Sequence, residues 1–303
     1  MTQNTNNRIL TAYIAIIFSM IFWGISFVWT KELINSNFPV FLILTIRVAI
    51  SSLLMFVTFT LIHKLEKIQK ADISKFLLLA FFEPFLYFVG ENFSMQYVDA
   101  SFAAIMIALL PIVNPLALYI FNKEKIGWNL LVGVVVSIIG ITIMSINPNG
   151  QIVISWQGVL LLLLAVVSGA GYSVILCKLI HKYSPITITT YQNIIGILYF
   201  LPCLLIFDLG KISSITFSAN SILSLILLAV FCSSGAFMLY SYGAKIISVI
   251  KVSVFTNAIP VVTIIAAVIL GQETFTFPKI LGIVIVVIGL LFSQFGFNKK
   301  KKI

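Results

Sequence analysis

Hydrophobic residues in this chain come in long unbroken runs, without the alternation of a half-buried strand. Runs of roughly 20 residues are separated by short polar stretches, at about 10–32, 38–62, 75–97, 99–121, 127–146, 156–179, 185–207, 220–244, 247–270 and 277–296. About 20 helical residues cross the ~30 Å hydrocarbon core of a bilayer, so the pattern predicts an all-α membrane protein of ten transmembrane helices. Two pairs of runs meet almost without a gap, at Val98–Asp99 and Ile246–Ser248. A single helix across either join would exceed one crossing, so each predicts a tight hairpin. The alternation of a membrane β-barrel is absent. The polar head MTQNTNNR leads into a full-length run, which predicts a retained first helix and not a cleaved signal.

Composition agrees with that reading and narrows the classes. Sixty per cent of the residues are hydrophobic and 9% charged, with mean hydropathy +1.13; a soluble domain of this size needs far more polar surface. Placing the N-terminus in the cytoplasm puts fifteen of the 19 Lys and Arg on the cytoplasmic side, including Lys299 through Lys302. Lys31, Lys211 and Lys279 fall outside, and Arg47 lies within a run. By the positive-inside rule both termini are cytoplasmic, in a plasma or inner membrane. The net charge of +10 then faces anionic lipid and needs no nucleic-acid partner. Cys177, Cys203 and Cys232 lie far apart within runs and suit packing, with neither a disulfide frame nor a metal site. No phosphate-binding glycine loop, HExxH, CxxC or nucleophile elbow occurs, so the sequence points to no enzyme, no metal and no cofactor.

The chain also contains itself twice. A shift of 149 residues lays Pro111 on Pro260, Glu124 on Glu273, Gly133 on Gly282 and Gly140 on Gly289; a shift of 146 lays Pro39 on Pro185. Two repeats follow, residues 1–148 and 149–303. Five runs per repeat is an odd number, so the second copy enters from the opposite side. That 5+5 inverted topology recurs in secondary transporters, whose sites lie mid-membrane between the repeats.

Phe22-Trp23-Gly24-Ile25-Ser26-Phe27, then Pro39 with Arg47, the small-residue run from Ala100 to Pro111, and Glu124 with Gly133 and Gly140 come in a recognisable order. Together they resemble the EamA-type branch of the drug/metabolite transporter superfamily over nearly the whole chain. Two departures stand out: Asn122-Lys123-Glu124 replaces the usual Gly-Glu of the first copy, and Gly169-Ala170 replaces Trp-Gly in the second. The resemblance implies an exporter of amino acids or other small metabolites. Rival readings are a lipid or lipophilic-compound carrier and a non-transporting membrane sensor.

Two carboxylates in one apolar run, Glu83 and Glu91, focus the search for a site. A charge at bilayer depth costs at least ~2.5 kcal/mol, so such residues face a bundle interior and a function is the default expectation. At 100° per residue, Glu83, Tyr87, Gly90, Glu91 and Ser94 share one arc. The second-repeat counterpart presents Cys232, Ala236, Leu239, Tyr240 and Gly243. Ser19, Trp23, Ser26 and Thr30 form a stripe on the first run, and Ser168, Gly169 and Tyr172 on the sixth. The expected substrate cavity is therefore lined by Trp23, Glu83, Tyr87, Glu91, Tyr172, Tyr240 and Asn257. By depth, Arg47 and Glu91 sit roughly 13 Å and 9 Å from the outer ends of their runs, which predicts a structural charge pair. Glu91 and then Glu83 are the candidate proton carriers, with Lys251 a candidate partner for Glu83. Pro84, Pro111, Pro115 and Pro260 predict bends, near which Asn114 and Asn257 can satisfy freed carbonyls. The expected partners are a small, amine-bearing substrate, membrane lipids and protons, with no obligate protein partner.

Overall fold

The computed structural model describes residues 2–114, 117, 128–146, 155–274 and 276–294. All regular elements among them are helices: α1 (Thr2–Asn35), α2 (Val40–Leu61), α3 (Lys70–Ser94), α4 (Ala100–Asn114), α5 (Trp128–Met144), α6 (Trp156–Leu179), α7 (Pro185–Ser214), α8 (Ala219–Ile246), α9 (Lys251–Ile269) and α10 (Phe277–Gln294). Seven of these are long and apolar enough to cross a membrane. The expectation of helices throughout holds. Both tight hairpins are present as turns, the second with Ser248 at φ 139°. Glu124, Lys123, Lys125, Pro115 and the lysine tail lie outside the described residues.

The packing is built for hydrocarbon. Leu53, Leu61, Leu160, Val167, Leu198, Ile206 and Phe277 point outward, while Arg47, Glu83, Glu91, Asn92, Gln192 and Asn193 are buried. In water that distribution would invite aggregation; in lipid, polar groups gather on the inside and small residues let helices approach. Gly24 admits α9, since a Cβ there would meet Val262 at 2.5 Å, and Thr263 donates to the Gly24 carbonyl at 2.8 Å. Ser19 donates to the Ala236 carbonyl on α8 at 2.8 Å. Small residues of the α1 stripe thus carry packing contacts, with Trp23 between them.

α3 is not the continuous helix that an unbroken apolar run predicts. Residues Phe81–Leu86 form a π segment in which Glu83 leaves helical geometry, with φ −147° and ψ 120°. Pro84 supplies the reason, because it lacks an N–H for the ladder and its ring crowds the preceding turn. α8 carries a matching wide segment at Leu228–Ala236. Wide turns of this kind turn side chains away from regular helical register.

Charged contacts tie the first half of the chain to the second at both ends of the bundle. At the end where α1 starts, Asp72 is buried and receives Lys75 at 2.7 Å, the Tyr183 hydroxyl at 2.8 Å and Lys182. Beside it, Glu66 accepts the Ser184 N–H at 2.7 Å where α7 begins. At the opposite end, Asp208 accepts the Phe41 N–H at 3.0 Å in the first turn of α2 and pairs with Lys211 at 2.7 Å. Glu273 accepts the Ser101 N–H at 2.9 Å, capping α4, and holds Lys279 at 3.0 Å; Lys279 also reaches Asp99 at 2.7 Å. A carboxylate at a helix N-terminus satisfies a free N–H and complements the helix dipole.

Glu66 lies in the loop between α2 and α3, so its ionisation can be followed there. Partial desolvation works to raise its pKa, but hydrogen bonds from Ser184 and Thr187 and the charge of Lys245 outweigh that and hold it below the usual carboxylate value. A lowered folded pKa contributes stability above the ordinary range, about 4.3, that is lost as pH falls through the folded value. The thermal-stability difference between wild type and Glu66→Gln is therefore expected to be full at pH 7 and to shrink below about pH 4. A difference that grew on acidification would contradict the assigned contact.

Candidate functional site

The inward faces of α1, α2, α3, α4, α6, α8 and α9 meet at one cavity. Six of the seven expected lining residues are there: Trp23, Glu83, Tyr87, Glu91, Tyr172 and Tyr240. Arg47, expected beside Glu91, lines it too. The space inside is about 40 Å³, room for a few water molecules. The free space at this polar centre is thus small, and a metabolite-sized substrate requires the helices to part.

Each side chain is placed by a local feature. Tyr87 and Glu91 stand one turn apart below the α3 break, and Gly90 between them brings α3 against α6 so closely that a Cβ would lie 2.4 Å from the Leu161 carbonyl oxygen. Gly169 on α6 leaves space for Leu110 and the Tyr87 ring, 2.8 and 3.4 Å from where its Cβ would be. Trp23 is wedged against Phe237 and Tyr240, each at 5.1 Å between ring centres. The break at Glu83 presents its carboxylate to the cavity at 7% exposure, and among the described residues it has no hydrogen-bonded or ion-paired partner.

Three expectations need correction. Asn257 is not among the lining residues; Thr256 and Ser253 are, together with Asn114 on α4. Residues Val254–Asn257 form a 3₁₀ turn, whose three residues per turn rotate the face relative to an α-helical count. Arg47 and Glu91 do not form an ion pair within 4.0 Å. The Arg47 Nε instead donates to the Ser233 hydroxyl at 2.9 Å, and its guanidinium lies 4.2 Å over the Phe88 ring. Depth along a span fixes height but not azimuth, and Arg47 faces α8. Lys251 is exposed and not paired with Glu83. The Glu91 carboxylate accepts one hydrogen bond among the described residues, from the Asn92 amide at 3.3 Å.

A buried polar layer backs the cavity. Asn193 on α7 donates to the Ser51 hydroxyl at 2.7 Å and to the Ser233 carbonyl at 2.8 Å, and Ser51 bonds to Ser234 at 2.7 Å. Arg47 is anchored through this layer. Sequence reasoning missed it, although QN at 192–193 inside an apolar run was a visible signal.

The cavity brings acid, base and aromatic groups to the centre of an apolar bundle, and comparison with known proteins assigns the architecture. The model of the EamA-like transporter family matches this chain twice, over residues 10–146 and again over 156–295. The chain belongs to the EamA-like transporter family. It is 27% identical to an "uncharacterized transporter" of Archaeoglobus fulgidus over 92% of its own length and 96% of that protein. It is 25% identical to the "uncharacterized transporter YetK" of Bacillus subtilis over 92% and 85%. A protein solved by crystallography shares its fold, with a TM-score of 0.70 at 15% identity, covering 97% of this chain and 98% of that one. Family and apolar helices together describe a multi-pass membrane transporter with a small-molecule substrate. EamA membership also accounts for the Trp23-Gly24 motif as the structure uses it: one residue lines the cavity and the next admits α9.

Proposed function

We propose that this EamA-family chain is a secondary-active exporter of amino acids or related small amine-bearing metabolites, working by alternating access. On this reading ten helices form two inverted five-helix repeats, residues 1–148 and 149–303, with both termini cytoplasmic. The observation that carries it is the small central cavity, lined by Glu83, Glu91 and Arg47 together with Trp23, Tyr87, Tyr172 and Tyr240, in which the Glu83 carboxylate has no hydrogen-bonded or ion-paired partner among the described residues. A carboxylate under aromatic faces suits a protonated amine, and a guanidinium across the cavity suits a carboxylate. The double family match and the exchange of helix caps between halves support the inverted repeat. Glu66 of the first half caps α7, and Asp208 of the second half caps α2.

In this mechanism the contacts at one end of the bundle release while those at the other hold. Glu91 exchanges a proton as the cavity changes sides while Glu83 holds the substrate amine, so that a proton gradient drives the cycle. The charged cavity favours this reading over a lipid carrier, whose substrate would meet a greasy lateral groove.

Thermal unfolding of the detergent-purified protein against amino acids, amines, nucleosides, sugars and neutral lipophilic compounds tests it. Amine-bearing compounds are expected to stabilise saturably, by about 2.7 kcal/mol at a hundredfold excess over Kd. Stabilisation by neutral lipophilic compounds, and by none of the amines, would reject the amine and move the lipid-carrier reading forward.

A further inference from the structure

A second pocket opens at the end of the bundle where α1 starts, α6 and α8 end and α7 starts, and it shares no lining residue with the central cavity. Its volume is about 620 Å³, and Arg8, His181 and Lys245 line it together with Ile9, Tyr242 and Ile246. Three nitrogen-bearing side chains thus converge from α1, from the α6–α7 connection and from α8, and no carboxylate is among the lining residues. The charge of Glu66 reaches Lys245, but its carboxylate is engaged by the Ser184 N–H. Lys245 donates to the Tyr183 carbonyl at 2.9 Å, which fixes the ammonium at the rim with two donors to spare.

We propose that this pocket binds the phosphate of an anionic phospholipid headgroup. A phosphate matches three convergent donors, and basic pockets between helices are read as lipid-headgroup sites. The source is argued from what lies beside the pocket. Ile9, Tyr13, Ile14 and Ile17 are exposed on α1, continuing from the pocket along the helix, where acyl chains would lie; a free phosphate has no use for such a stripe. The bound lipid would bridge α1 to α8 and to the α6–α7 connection. There Lys182 and Tyr183 hold Asp72, so the headgroup would reinforce that end of the bundle in its closed arrangement. The site does not depend on which substrate the central cavity takes.

The test uses full-length, delipidated protein in detergent and follows thermal unfolding while a short-chain lipid is titrated in. Phosphatidylglycerol is expected to raise the unfolding temperature saturably. Phosphatidylcholine of equal chain length, whose phosphate is neutralised by its own choline, is expected to give no saturable shift. Arg8→Gln with Lys245→Gln should weaken the phosphatidylglycerol effect by roughly tenfold or more. Because Lys245 also holds the Tyr183 carbonyl, Arg8→Gln alone, at an exposed position, repeats the test without touching that bond. Inorganic phosphate giving the same saturable shift would overturn the lipid as source and assign the same residues to a soluble phosphate compound. An equal shift with phosphatidylcholine, or an undiminished phosphatidylglycerol shift in both variants, would overturn the site.

Discussion

Replacing Gly90 by valine is expected to remove about 3 kcal/mol or more of stability and to lower the unfolding temperature of the purified protein by roughly 6–12 °C. The Cβ alone would stand 2.4 Å from the Leu161 carbonyl oxygen and 2.9 Å from the Ala165 nitrogen. Both are backbone atoms of α6, so no side-chain rotation relieves the contact and the two helices must separate. Separation moves Tyr87 and Glu91, which flank Gly90, away from the cavity, so any protein that still folds should also bind substrate poorly. Gly210→Ala is the matched control, since nothing lies within 4 Å of a Cβ there; it should unfold within about 1 °C of wild type. A valine variant as stable as that control would mean that α3 and α6 do not approach as closely as described.

How much of this was legible in the sequence depended on whether a residue had one physical reason to be where it is. Gly133, Gly140, Gly282 and Gly289 align under a 149-residue shift, and the structure shows their use. A Cβ on Gly140 would meet the Gly282 carbonyl oxygen at 2.7 Å, and one on Gly289 the Gly133 carbonyl oxygen at 2.9 Å. The matched positions thus pack α5 on α10 reciprocally, and glycine is readable because only close approach demands it. Trp23, Glu83, Tyr87, Glu91, Tyr172 and Tyr240 were found because polar or aromatic groups on one arc of an apolar helix stand out. What failed was whatever depended on local departures from regular geometry. The wide turn at Phe81–Leu86 hides in a run that hydropathy reads as one helix. The 3₁₀ turn at Val254–Asn257 exchanges Thr256 for Asn257. Arg47 lines the cavity with Glu91 as expected, but its contact with Ser233 is a matter of azimuth, which hydropathy does not encode. The caps that Glu66 and Asp208 place across the bundle arise from loops brought together only by folding.

Glu83→Gln is expected to weaken substrate binding by about 10–150-fold, and Glu91→Gln to leave binding and exchange while abolishing transport driven by a pH gradient. The first estimate follows from removing one charged hydrogen bond, worth ~1.5–3 kcal/mol, at about 1.4 kcal/mol per tenfold. Glu83 is the choice for the amine because it has no partner of its own among the described residues and faces the cavity. Its amide replacement keeps the shape but not the charge, so folding should survive. Glu91 is different: the Asn92 amide reaches it at 3.3 Å and Arg47 shares its cavity, so its charge is already partly answered and its proton is the one to trade. The pair of measurements is substrate-induced thermal stabilisation, which reads binding, and uptake into proteoliposomes with and without a pH difference, which reads coupling. The roles exchange if Glu91→Gln loses binding and Glu83→Gln loses only the gradient response. Neither variant affecting either reading would take both carboxylates out of the mechanism, leaving Arg47 and the aromatic rings to carry recognition.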